Sequence, residues 1–218
     1  MANVIEVPGT RPGSAAAGHN VILRNGSTVL IRQVQPADAP LLADGFARLS
    51  DRSRRMRFLY RKDSLSAAEL RYLTDIDHHD HEALGALDHL GGRGVGVARY
   101  VRDTADPQAA EIAVTIADGW QGRGLGTELF ARLSGRARAA GIRRFTALVA
   151  EDNAAMAGLL RKVRADRVGR NGGTADYEIT LAQPASASQV AASQSSSASR
   201  KARGCSYCGT WPASATST

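Results

Sequence analysis

Between residues 110 and 141 the chain reads AEIAVTIADGWQGRGLGTELFARLSGRARAAG, and Gly122, Gly124 and Gly126 alternate between an apolar run and an amphipathic one. Alternate glycines let a ligand approach the backbone, because no Cβ stands in its way. Leu125, Leu129, Leu133 and Ala137 recur four apart, which predicts a helix that begins within Gly122 to Gly126 and is capped at its end by Gly141. A helix start offers backbone N–H groups without partners together with the positive end of the macrodipole, so a phosphate or diphosphate is its natural occupant. Two phosphate cradles fit this turn badly. A P-loop needs Gly-Lys-Ser/Thr, and the turn has no lysine; the dinucleotide fingerprint needs glycine at its sixth position, where this chain has Thr127.

The strand ahead of the turn alternates with period two, so Ile112, Val114 and Ile116 share one face and Glu111, Ala113 and Thr115 the other. The first face is core. The second is small and carries a single acid.

Other elements must hold this unit in place. STVLIRQVQ (27 to 35) predicts a strand, and Pro36 with Asp38 opens a helix carrying Leu41, Leu42, Phe46 and Leu49. Ser66 and Glu69 have capping-box spacing ahead of Leu70 and Leu73, which predicts a second helix. EALGALD (82 to 88) and VGVARYVRD (95 to 103) are strands joined through a glycine-rich turn, and read as a hairpin. RFTALVA (144 to 150), DNAAMAGLLRKV (152 to 163) and DYEITLA (176 to 182) read as strand, helix and strand. The order β α α β β β α β α β predicts an α/β (α+β) fold with a mixed sheet covered by helices on both faces. Residues 1 to 20 and the Ser/Ala-rich run from 184 to 218 lack periodicity, and are expected to be disordered around a folded unit at 21 to 183.

Size and charge set outer bounds. A chain of 218 residues has room for one ordinary domain with tails. The formal charge is +7, of which Arg200, Lys201 and Arg203 in the tail supply three, so the rest is mildly basic. That suits an enzyme for an anionic cofactor as well as a nucleic-acid binder. No apolar run is long enough for a membrane span and no secretory signal is present, which implies a cytoplasmic protein without a membrane partner. Cys205 and Cys208 both lie in the tail, half of a zinc site without its other half. The cluster from Asp77 to Glu82 with His78, His79 and His81 reads as a polar loop entering a strand, so no metal site is assigned. The run Arg52 to Arg57 reads as a solvated helix end without the aromatic residues that stack single strands, so nucleic acid is not an expected partner.

One further pattern is satisfied. Gln121-Gly122-Arg123-Gly124-Leu125-Gly126 matches Gln/Arg-x-x-Gly-x-Gly/Ala, and DGWQGRGLGTELF resembles the acetyl-CoA loop of the GCN5-related N-acetyltransferase (GNAT) superfamily. LRNGSTVLIRQVQPADAPLL, FARLSDRSRRMRFLY, LTDIDHHDHEALGALD and GVARYVRD extend the resemblance, over roughly 21 to 183, to bacterial protein lysine acetyltransferases of the Pat type. The resemblance implies the GNAT fold, with a mixed, mostly antiparallel central sheet. It implies acetyl-CoA as donor, its diphosphate held by the loop from Gln121 to Thr127 through Gly122, Arg123, Gly124, Leu125 and Gly126. It also implies a pantetheine arm paired with Ala113, Val114, Thr115 and Ile116 and touched by Asn153, which otherwise reads as a helix N-cap.

By the same resemblance Glu111 is the general base that frees an acceptor amine, against the plainer reading of a solvated strand-end acid paired with an arginine. An oxyanion would meet a backbone N–H near Thr115 and Ile116 if the family's β-bulge is kept. The chain departs from the pattern twice: Leu160 stands where many relatives place a tyrosine acid, and Arg164-Ala165 replaces Gly-Phe. The implied acceptor is a protein lysine, for instance on an acyl-CoA synthetase, with a small amine as alternative; a catalytically idle acyl-CoA sensor and a nucleic-acid module are the readings from other classes. Monomer and homodimer are both compatible with the sequence.

Overall fold

A computed structural model describes residues 18 to 181 except Gly91. The readings that fall elsewhere, namely the disorder of the outer segments and the Cys205/Cys208 pair, lie outside the described residues.

The elements are β1 (His19–Ile22), β2 (Thr28–Gln33), a 3-10 turn (Pro36–Asp38), α1 (Ala39–Ala47), α2 (Asp51–Phe58), α3 (Ala67–Thr74), β3 (His81–Asp88), β4 (Gly94–Arg102) and β5 (Ala109–Ile116). A second 3-10 turn (Asp118–Trp120), α4 (Leu125–Ala139), β6 (Arg144–Ala150), α5 (Ala154–Lys162), β7 (Asp166–Asn171) and β8 (Thr174–Thr180) follow. β1 begins inside the segment expected to be disordered, because His19 and Asn20 pair with Ile31 and Leu30 of β2. β7 is absent from the sequence reading; it is exposed along most of its length and has no apolar alternation.

The strands form one sheet in the order β1-β2-β3-β4-β5-β6-β8-β7. Each neighbouring pair is antiparallel except β5 with β6. Strand parity assigns the two faces. Gly96 and Tyr100 of β4 turn toward α4: a Cβ on Gly96 would meet Leu125 at 3.2 Å and Leu129 at 3.3 Å. Val97 and Arg99 turn the other way, under α1, α2 and α3. The stripe predicted for α4 is buried, with Leu129, Leu133 and Ala137 at 0% exposure and Leu125 at 1%. Burying each leucine contributes about 1.5–3 kcal/mol. Gly141 ends the helix at φ +82, as its sequence position predicts.

Tyr100, Phe145 and Phe130 meet in succession, tilted and then edge-to-face, with ring centroids 5.9 and 6.0 Å apart, and join β4, β6 and α4. The predicted capping box of α3 is formed: Ser66 Oγ accepts from Glu69 N, and Glu69 Oε2 accepts from Ser66 N at 2.8 Å. Burial is not all apolar. Glu82, fully buried on β3, accepts from Gln33 Nε2 at 3.0 Å, from the Ala83 amide at 2.9 Å and from Arg136 of α4, and lies 2.8 Å from His78 Nδ1. One carboxylate thereby pins β2, β3 and α4 together.

Candidate active site

The site grows out of the single parallel junction. β5 and β6 pair over three positions only, Ala109 with Arg144, Ala110 with Phe145 and Glu111 with Thr146. Beyond Glu111 each strand keeps its other neighbour, β5 along β4 and β6 along β8. The sheet therefore splays into a cleft, with Glu111 at its apex.

Backbone parity decides which β5 groups face the opening. Ala109 O accepts from Asp103 N and Ala117 N donates to Val95 O, so the odd-numbered residues spend their main-chain groups on the β4 side. Ile112, Val114 and Ile116 present theirs to the cleft. The amides of Ala113 and Thr115 thus point into the β4 ladder, which corrects the expectation that Thr115 offers a donor there. The condition of a β-bulge is not met between β4 and β5, which pair in unbroken register from Gly96/Ile116 to Arg102/Ala110. The splay exposes the edge amides in its place. Ile112 is the residue that sequence reasoning omitted from this row.

At the wide end of the cleft, β5 runs through the turn at Asp118–Trp120 into the glycine loop. Gly122 and Gly124 hold φ +74 and +93, conformations that only glycine adopts cheaply. Gly126 sits against β5, where an added Cβ would lie 3.7 Å from Ile116 and 3.9 Å from Val114. Gln121 folds back, its Nε2 donating to Ile116 O at 3.1 Å. The first main-chain bond of α4 is Glu128 N to Gly124 O. Among the described residues, the amides from Gly122 to Thr127 donate to no protein acceptor. A run of free amides at the start of a fifteen-residue helix has the chemistry to cradle a diphosphate.

The side chain of Arg123 turns aside, its guanidinium 4.8 Å from the Trp120 ring centre and donating to Ser27 Oγ at 3.3 Å. Another cation arrives from the β1–β2 turn: Arg24 lies 3.6 Å from where Gly124 would carry a Cβ. No sequence signal marks Arg24, which stands a hundred residues from the loop it flanks.

Asn153 caps α5, its Oδ1 accepting from Met156 N at 3.0 Å, and its NH2 group has no acceptor among the described residues. Cap and ligand contact are compatible here. Leu160 is 3% exposed and belongs to the core, so no phenol replaces the missing tyrosine at that position. Arg164 holds φ +55, the left-handed conformation suited to the glycine it replaces.

Among the described residues Glu111 makes no ion pair within 4 Å. Burial raises its pKa above the ordinary 4.5, and the nearby Arg57 guanidinium partly opposes that rise. Glu111 is thus a partly buried acid near Arg57 rather than a fully solvated one. A carboxylate partly desolvated at the apex of a cleft has the chemistry of a proton acceptor.

α2 was expected as a mere helix end; it bridges the cleft. Asp118 accepts from Ser50 N at 2.8 Å and from the Ser53 hydroxyl at 2.5 Å, next to the glycine loop. On the far side, Arg52 donates to Asp152 O at 3.0 Å and Arg55 pairs with the Asp152 carboxylate at 2.9 Å, just ahead of Asn153. The histidine cluster is knit to itself: Asp77 Oδ1 accepts from the amides of His79, Asp80 and His81, and His79 Nδ1 lies 2.7 Å from Asp80. No group of three or more potential ligands is arranged for a metal among the described residues. No helix among them is long and apolar enough to cross a membrane.

Residues 28–166 match the family model described as Acetyltransferase (GNAT) domain. Acetyltransferase Pat of Mycolicibacterium smegmatis is 34% identical over 149 residues, which is 68% of this chain and 43% of that protein. An acetyltransferase of Pseudomonas aeruginosa is 36% identical over 160 residues, 72% of this chain and 86% of the relative. Among solved structures, the GNAT domain of S. lividans PAT superposes with a TM-score of 0.70 at 30% identity, covering 75% of this chain and 96% of that one. The chain belongs to the GNAT acetyltransferase family, whose donor is acetyl-CoA. It spans under half of the mycolicibacterial relative. The mostly antiparallel sheet with helices on both faces is the fold the sequence implied, and the free amides, the open β5 edge and Asn153 fit the donor.

Proposed function

We propose that this domain transfers the acetyl group of acetyl-CoA to a primary amine, most readily a protein lysine side chain, with Glu111 as general base. The observation that carries the reading is the run of free amides at the mouth of α4, opening into a cleft with a desolvated carboxylate at its apex. In the proposal, the amides from Gly122 to Thr127 hold the diphosphate, with Arg24 adding positive charge beside them. Ile112, Val114 and Ile116 receive the pantetheine arm and the thioester carbonyl as an added strand would be received, and Asn153 donates its NH2 to the same arm. Ala113 and Thr115 contribute small side chains to the acceptor face. Acetyl-CoA supplies an activated acyl group.

The protein must then produce a neutral amine. A lysine with a pKa of about 10.4 is unprotonated in roughly one molecule in two thousand near neutrality, so a base at Glu111 has a definite task. The likeness to proteins named Pat supports a lysine acceptor. Incubating the purified chain with acetyl-CoA and acyl-CoA synthetases, with thiol release measured and acetylated lysines mapped by mass spectrometry, tests the reading. Leu160 in place of a tyrosine favours one rival, an acyl-CoA sensor. Acetyl-CoA binding without thiol release on a broad acceptor panel would establish that rival.

A further inference from the structure

Beside the cleft, a cavity lies between α1, α2 and the face of β4 and β5 that carries Arg99 and Thr115. Its walls are apolar, with Leu41, Phe46 and Phe58 among them, yet two guanidiniums, Arg57 and Arg99, line it. Arg99 is 5% exposed and on the strand position opposite Ala113. It donates to Leu73 O at 3.2 Å and lies 3.1 Å from His81 Nε2. Burial pushes His81 down to about 4, so at neutral pH the imidazole accepts that bond uncharged. Arg57 is half-buried, rests 5.0 Å from the Phe58 ring centre and has no hydrogen-bond acceptor among the described residues.

Among the described residues neither arginine has a carboxylate within 4 Å, and the Glu111 charge acts on Arg57 more than the Tyr72 and Tyr60 phenols do. Two cations against one anion leave the chamber positive. Buried cations normally come paired, because an uncompensated one loses its hydration without replacement. Arg57 and Arg99 also repel each other, and Arg99 is lowered to about 9, first by burial and then by Arg57. An arginine with free N–H groups in an apolar chamber is built to receive a planar anion.

We infer that the acceptor carries a carboxylate near its reacting amine and that Arg57 receives it, with Arg99 supplying the field from beneath. The inference rests on the proposed transferase reading and narrows its acceptor to amines bearing an acidic group. That group belongs either to a small amino acid-like amine or to an acidic residue flanking a lysine in a protein. A carboxylate seated on Arg57 balances the charge of the chamber and leaves Glu111 free to take the ammonium proton. The same positive chamber disfavours polyamines, whose second cation would enter it.

Two matched pairs test this on the full chain. 5-Acetamidopentanoate and its primary amide are titrated calorimetrically into protein saturated with CoA. Blocked peptides with lysine flanked by glutamate or by glutamine are compared as acceptors by kcat/KM. A charge-assisted contact should favour the carboxylate member by about 10-fold or more in at least one pair, and the pair that shows it identifies the source. Arg57→Gln should bring that pair to parity while acetyl-CoA affinity stays within about threefold. Arg57→Lys should keep part of the preference, which excludes simple misfolding. No preference in either pair, binding by neither member, or a preference that survives Arg57→Gln overturns the inference. So does an Arg57-dependent gain seen only with succinyl-CoA as donor, which would place the anion on the acyl group. Failure of the parent reading has a different signature: no acetyl-CoA binding and no thiol release at all.

Discussion

Glu111→Gln separates activity from stability in a way that only a partly buried general base would. Removing a proton acceptor from an otherwise intact site lowers kcat/KM by about 10²–10⁴, equivalent to about 2.7–5.5 kcal/mol of transition-state stabilisation. The parent rate should rise with pH along a limb centred above the ordinary carboxyl value, because burial raises Glu111, and this limb should vanish in the glutamine variant. Arg57 holds Glu111 lower than burial alone would, so Arg57→Gln should move the limb to higher pH. Stability runs the other way. A group whose folded pKa is raised contributes fully below its unfolded value, and that contribution is lost as pH rises through the folded value. At neutral pH the buried charge is therefore a cost, and Glu111→Gln should melt above the parent, with the difference closing below about pH 4.5. Thiol release across pH 5 to 9 and calorimetric melting on the same preparations give both readouts. A variant that keeps its rate within threefold, or melts below the parent at pH 7, refutes the placement of a desolvated base at the cleft apex.

Gly124→Asp drives a carboxylate into the free amides, and should weaken acetyl-CoA binding by at least about 100-fold by calorimetry while the chain still folds, aspartate being tolerated at φ +93 better than most residues. Unchanged affinity would remove the loop from diphosphate binding. Arg164→Gly relieves a left-handed residue at φ +55 and should raise unfolding free energy by about 1 kcal/mol in a denaturant titration. Glu82→Ala strands Gln33, the Ala83 amide and Arg136 around a fully buried gap; a loss of about 3 kcal/mol or more in the same titration is expected, and a loss below 1 kcal/mol would show that the carboxylate does not pin the sheet to α4.

The readable elements are those whose signals are local. The stripe of α4, the capping box at Ser66 and the alternation of β5 each lie within one turn or one strand, and each formed as expected. β7 was not legible, because its register is set by β8 across a two-glycine turn rather than by its own pattern. The glycine loop at the mouth of α4 was legible for the same reason as the helix itself, since helix start and glycines are adjacent in sequence. The cleft-facing row on β5 was legible only to the strand. Which residues turn their amides outward depends on parity against β4, fixed by bonds such as Ala117 N to Val95 O. Sequence alternation describes side chains, and the main chain points at right angles to them.

α2 shows why half of a site can be invisible in sequence. DRSRRMRF carries few apolar residues, and reads as a helix bathed in water. Its position is fixed by contacts distant in sequence: Ser53 with Asp118, 65 residues on, and Arg52 and Arg55 with Asp152, 100 and 97 residues on. These contacts anchor it to both lips of the splayed sheet, the glycine loop on one side and the turn before Asn153 on the other. The cleft lies beneath it, so a face polar enough for bulk solvent overlooks the opening instead. A polar helix spanning a substrate cavity and a polar helix on the surface have the same composition, because each is solvated until the ligand arrives. Only the ends of its hydrogen bonds tell them apart, and they bring Arg57 near Glu111, with no carboxylate among the described residues within 4 Å to pair with it.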